Sequence, residues 1–202
     1  MKKHAIDTPL STLDTIFLRR SVRTFEHRAV DDETIRALLD AAVQAPTAMH
    51  LEPWAFVVVQ NEAMLRRYSD AAKALWTGEG AKHEGLHVPR LGRGFAARAG
   101  DPEFSIFHHA GTLVVICAKP VSSFVEADCW LAAENLMLAA SALGLGTCCI
   151  GSALPVLNSP EVKAELHIPA DVTAVAPIVI GVPAGAATES PRKDPDILMW
   201  KK

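Results

Sequence analysis

Ala45-Pro46-Thr47-Ala48-Met49-His50-Leu51-Glu52-Pro53-Trp54 decides how this chain is read, because a helical pattern ends at its first proline and a strand begins at its tryptophan. Upstream, Ile35, Leu38, Leu39, Ala42 and Val43 recur at helical spacing behind Asp31, a residue suited to cap a helix, and Pro46 stops the run. Downstream, Trp54-Ala55-Phe56-Val57-Val58-Val59 is too short and too β-branched for a helix. It predicts a buried strand, followed by a helix from Glu62 to Leu75. The segment between could supply a wall against which a flat ring lies.

The same pattern reading extends outward. Ser11-Thr12-Leu13-Asp14 resembles a capping box, and Leu13, Ile16 and Phe17 form a short apolar stripe, predicting a first helix to about Arg19. Thr112 to Ala118 reads as a second strand and Val172 to Val182 contains a third. Ser159-Pro160 is an N-cap followed by proline at the first helical position, opening a short helix to Leu166. Glu126 to Leu143 is helical but apolar nearly all round, which demands burial on every face and favours a subunit interface. The stretch 76–105 is long, irregular and glycine-rich, as expected of a lid over a site. The arm 184–202 ends in Ile197-Leu198-Met199-Trp200, an apolar cluster that needs a partner's surface to cover it.

Composition bounds the function. With 202 residues, the chain suits a single domain over 1–202 with a substantial core. Half its residues are hydrophobic and only 6% are aromatic, so the core is mostly Ala, Leu, Val and Ile. A net charge of −3 leaves no electrostatic footprint for nucleic acid or an anionic membrane. Polar residues interrupt any apolar stretch of signal-peptide or membrane-spanning length. Cys117, Cys129, Cys148 and Cys149 lack C-x-x-C spacing, as free thiols of a reducing compartment do. A cytoplasmic protein acting on small molecules is expected.

Arg19-Arg20-Ser21-Val22-Arg23 carries the chemistry. Guanidinium groups are permanently charged, planar donors, suited to a phosphate and to an electron-rich ring. Paired with Ala45 to Trp54, they suggest a flavin site. The alternative is that these cations simply favour a helix C-terminus. His83-Glu84-Gly85-Leu86-His87 spells the zinc-hydrolase pattern H-E-x-x-H, but Gly85 and Pro89 disfavour the helix on which that pattern works. The adjacent His108 and His109 would point opposite ways at a strand entry. Cys148 and Cys149 read as small buried residues rather than a redox couple.

Ala45-Pro46-Thr47-Ala48 followed by Pro53-Trp54 before a strand resembles the nitroreductase family, in which the segment runs approximately Ala-Pro-Ser-x-x-Asn-x-Gln-Pro-Trp. Gly144-Leu145-Gly146-Thr147-Cys148-Cys149-Ile150-Gly151, Ala176-Pro177-Ile178-Val179-Ile180-Gly181 and Pro191-Arg192 keep that family's order across nearly the whole chain. The resemblance implies an α+β fold with a central, mostly antiparallel sheet flanked by helices. It also implies an intertwined homodimer with one FMN in each of two interface sites. By position, Arg19 and Ser21 resemble phosphate or ribityl contacts, with Arg20 in the same patch, and Arg23 resembles the ring contact near N1 and O2. Arg192 is similar to the tail residue that closes on the phosphate. Pro46, Thr47, Ala48 and His50 would come from the other subunit, and Ile150 and Gly151 would offer N–H groups to N5 and O4. His50 and Glu52 stand where the family has Asn and Gln. The implied reaction uses NADH or NADPH to reduce nitroaromatic, quinone or related electron-poor acceptors in a ping-pong sequence, with no residue assigned as catalytic acid or base. A zinc hydrolase built on His83, Glu84 and His87, or a flavin-binding protein without turnover, are the competing readings.

Overall fold

A four-stranded sheet, ordered β1-β2-β4-β3 with every neighbouring pair antiparallel, is the frame on which the chain is built. The computed structural model describes residues 10–77, 98–187 and 190–202. Its strands are β1 (Trp54–Val59), β2 (Thr112–Ala118), β3 (Gly146–Cys149) and β4 (Thr173–Gly181). Its helices are α1 (Thr12–Leu18), α2 (Asp32–Ala42), α3 (Glu62–Thr77), α4 (Val125–Ala142), α5 (Leu154–Leu157) and α6 (Pro160–Glu165).

Every position of β2 is buried, and its side chains alternate between two apolar layers. Leu113, Val115 and Cys117 join a layer completed by α3 and α5 residues such as Leu65, Tyr68 and Leu157. Val114, Ile116 and Ala118 join the other, completed by Ile35 and Leu38 of α2 and Ala132 and Leu136 of α4. A β-branched run covered on both faces is what this sequence pattern specifies. Burial of Ile35 and Leu38 contributes about 1.5–3 kcal/mol per side chain.

The local signals read from sequence form as expected at several ends. The Asp31 carboxylate accepts the Thr34 N–H at 2.9 Å. Ser11 Oγ accepts the Asp14 N–H at 3.1 Å while the Asp14 carboxylate accepts the Ser11 N–H at 3.3 Å, closing the capping box. Ser159 Oγ accepts the Val162 N–H at the start of α6.

Four features differ from the sequence reading. β1 is an edge strand, with Val58 39% exposed, rather than a wholly buried one. α4 buries only one side: small residues such as Ala132, Ala133 and Ala140 let it lie close to the sheet and α2, while Trp130 and Leu131 remain exposed. His108 and His109 sit in a turn, both at positive φ, and not in a strand entry. β3 is not among the strands expected from the sequence, because four residues beginning with glycine carry little strand signal. Its pairing with β4, Gly146 to Gly181 through Cys149 to Ile178, makes it a strand.

The glycine that weakens the β3 signal is needed there. A Cβ on Gly146 would lie 2.7 Å from Val22 Cβ, so only glycine lets the 21–23 segment approach the sheet edge. The proposed lid falls largely on residues 78–97, outside the described residues, as do His83, Glu84 and His87. The described arm residues 190–202 carry no regular structure, and Leu198 and Trp200 are exposed. Among the described residues no helix is long and apolar enough to cross a membrane.

Candidate functional site

The arginine segment lies along the free edge of β3. Ser21 forms a parallel bridge with Thr147, and the Val22 N–H donates to the Thr147 carbonyl at 2.9 Å. The extended backbone puts its cations on two sides. Arg19 and Arg20 line a cavity of about 180 Å3 with Leu18, Ser141, Gly144 and Thr147. Arg23 lines another, of about 240 Å3, with Arg98, Phe104 and His108. A larger cavity of about 440 Å3, bounded by Gln60, Arg66 and Ser69, contains none of the candidate residues.

The three arginines are not equivalent. The Arg19 side chain is 18% exposed and pairs with Glu134 of α4 at 3.5 Å, yet its buried Nε–H has no hydrogen-bond partner. That Nε is the atom facing the Glu134 carboxylate, so Arg19 is held by charge attraction without a well-formed hydrogen bond. Arg20 folds back onto the Phe17 and Arg19 carbonyls at the end of α1. For Arg20 alone, the helix-terminus alternative describes what the side chain does. Arg23 faces His108, whose pKa is lowered to about 4, first by burial and then by the charges of Arg23, Arg98 and His109. His108 is therefore neutral at pH 7, and Arg23 is left without a carboxylate partner among the described residues.

Ile150 and Gly151 follow β3 directly and so share its end of the sheet with the arginine segment. The Ile150 N–H donates to the Pro177 carbonyl at 2.8 Å. That engagement corrects the expectation that Ile150 offers its N–H outward, because the strand pairing has already taken it. Gly151, at the head of the next short turn, is the remaining candidate donor.

Pro46, Thr47, Ala48 and His50 form a tight turn between α2 and β1, built on a 3-10 segment, Ala48–His50. Met49, His50 and Glu52 all have positive φ, at 54°, 56° and 46°. Each such residue costs about 1–3 kcal/mol, although His and Asn tolerate this region better than most. The Ala48 N–H donates to Asp128 Oδ1 at 3.1 Å, which ties the turn to the start of α4. His50 Nε2 lies 3.3 Å from Glu52 Oε1 on the surface, so the two departures from the family pattern face each other.

Within one chain the candidate residues form separate groups. No hydrogen bond or ion pair among the described residues joins Pro46–His50 to Arg19–Arg23, and Arg192 lies on the exposed arm, joined to neither. Sequence reasoning missed Asp128, Glu134, Arg98 and His108 as neighbours of the site. Asp128 and Glu134 had a signal: each is a carboxylate in a helix that is otherwise largely apolar, where a charge needs a partner. Cys148 is buried and Cys149 half-buried, and desolvation pushes both thiol pKa values up, Cys149 to about 11. Neither is set up as a reactive thiolate. No group of three or more His, Cys, Asp or Glu among the described residues could hold a metal ion.

Comparison with known proteins follows the same division of the chain. Residues 16–182 match the model of the nitroreductase family. The chain is 30% identical over 197 residues to a chloronitrobenzene nitroreductase of Comamonas testosteroni, covering 83% of this chain and 85% of that one. It is 28% identical over 176 residues to an Archaeoglobus fulgidus protein provisionally named an NADH dehydrogenase/NAD(P)H nitroreductase, covering 85% and 84%. In three dimensions it is similar to a Bacteroides fragilis nitroreductase with bound FMN, with a TM-score of 0.78 at 27% identity, over 95% of this chain and all of that one.

Proposed function

The chain belongs to the nitroreductase family, and we propose that it is an FMN-dependent oxidoreductase working as a homodimer. One observation carries the reading: Ser21 and Val22 pair with Thr147 along the free edge of β3, which brings the arginine segment to the strand that leads into Ile150 and Gly151. The donor set fits the cofactor. Arg19, whose Nε lies 3.5 Å from the Glu134 carboxylate, and Ser21 would hold the phosphate or the ribityl chain, and Arg23 would face the electron-rich edge of the ring. Arg20 would be an outer contact of that patch, and Arg192 would reach the phosphate from the arm. Pro46, Thr47, Ala48 and His50 would be lent by the second subunit, which accounts for their separation from the arginines within one chain.

Bound FMN would supply the redox chemistry, taking hydride from NADH or NADPH and passing electrons in ping-pong order to a nitroaromatic, quinone or related acceptor. The protein's part is position and charge. Arg23, a permanent cation beside a neutral His108, would face the ring's electron-rich edge and favour its reduced state. The Gly151 N–H would donate to the ring. No side chain is assigned a proton-transfer role.

The visible spectrum of the purified chain tests this reading. One FMN per chain, released on denaturation, is the supporting result. A colourless protein that takes up no FMN on titration would refute it.

A further inference from the structure

The turn that carries Pro46 to His50 is held by a buried acid from a distant part of the chain. Asp128, in the first turn of α4, is 3% exposed. Its Oδ1 accepts the Ala48 N–H, and its buried Oδ2 has no hydrogen-bond partner. Thr47 occupies the position from which a side chain would ordinarily cap this turn, but it makes no capping bond. Asp128 therefore provides the cap from outside. A buried carboxylate with one oxygen unpaired is a poor choice for packing alone, where an apolar residue serves as well or better.

The segment it holds is one that needs holding. Three of its residues sit at positive φ, a region unfavourable to residues with side chains. Its internal hydrogen bonds are long: the His50 N–H donates to the Thr47 carbonyl at 3.3 Å, the Leu51 N–H to the Ala48 carbonyl at 3.2 Å and the Glu52 N–H to Thr47 Oγ1 at 3.4 Å. The His50 and Glu52 side chains pair in solvent, 90% and 56% exposed. Removing the Asp128 acceptor would leave the Ala48 N–H without its partner and the turn without its one buried anchor.

Resting on the FMN reading above, we infer that Asp128 is a positioning residue of the flavin site, setting through Ala48 the backbone that lines the ring without itself touching the cofactor. Asp128→Ala and Asp128→Leu both remove the acceptor, so a failure of one to fold leaves the other, whereas Asp128→Asn keeps an acceptor in place. The full-length variants are compared by hydrogen exchange of the apo-protein over residues 46–52, by FMN titration and by thermal melting. Faster exchange at Ala48 and FMN binding weakened about tenfold in the Ala or Leu variant, with Asn near wild type, is expected for loss of one charge-assisted hydrogen bond. Unchanged exchange and FMN affinity, whatever the melting temperature does, would overturn the inference and leave Asp128 as packing. An Asn variant as impaired as Ala would overturn it too. A wild-type chain that binds no FMN overturns the cofactor reading and this inference together, and that outcome is distinct because it needs no variant to show it.

Discussion

Arg23 and Arg20 stand three positions apart and do different work. Arg20 is held on the carbonyls closing α1, while Arg23 lines a cavity with Arg98 and His108 and makes no ion pair, among the described residues, with the Asp101 and Glu103 that also border it. Arg23→Ala should therefore weaken FMN retention or slow reduction by about ten- to a hundredfold, the scale of losing a charged hydrogen bond, whereas Arg20→Ala should change either by less than about threefold. FMN titration and stopped-flow reduction of the two variants separate them, and equal losses would contradict the division. His108 gives a pH signature. Its folded pKa, about 4, lies below the unfolded value near 6.5, so the unfolded chain binds the extra proton between those limits. Stability falls as pH drops through that window, by less than the full shift implies because the ring is partly exposed and its neighbours' charges are screened. His108→Gln should flatten that part of a denaturation series between pH 7 and pH 4. A series as steep as wild type would place the loss elsewhere.

At the scale of elements, the site depends on a strand the sequence barely announces. α2, β1 and β2 were legible because periodicity, capping and β-branching agree over six or more residues. β3 was not, because it is defined by what pairs with it: β4 on one side and the Ser21–Arg23 segment on the other. The residues proposed for the site were legible by type, and the Ser21–Val22 backbone pairs with β3, the strand that leads into Gly151, while Arg19 and Arg23 line different cavities. Asp128, the acid that anchors the ring-lining turn, escaped because its partner is a backbone N–H that no sequence pattern points to. Gly146→Ala tests the hinge between element and site. The added methyl meets Val22, so stability should fall by about 1–3 kcal/mol and FMN binding should weaken with it. Val22→Ala in the same chain should recover part of the FMN binding. Thermal melts and FMN titrations that do not move in Gly146→Ala would show that Val22 need not lie against β3.

The whole molecule, taken as one chain, leaves too much apolar surface in water. Phe17 of α1 is 71% exposed, Leu198 of the arm 93% and Trp200 74%, with Trp130 and Leu131 open on α4. Isolated exposed hydrophobics are ordinary, but so many large ones suit a face covered by a second copy. Sedimentation at micromolar concentration should give a dimer, and removal of residues 190–202 should shift it towards monomer and lower its FMN content together. A full-length monomer that holds FMN normally would contradict the shared site. The central claim is that the β3 edge and its arginines make a redox flavin site, and anaerobic titration of the purified yellow protein with NADH and NADPH tests it most directly. Bleaching of the flavin absorbance by one of the two, and its return on adding a quinone or a nitroaromatic, is the expected result. A flavin that stays oxidised with both nicotinamides would contradict it.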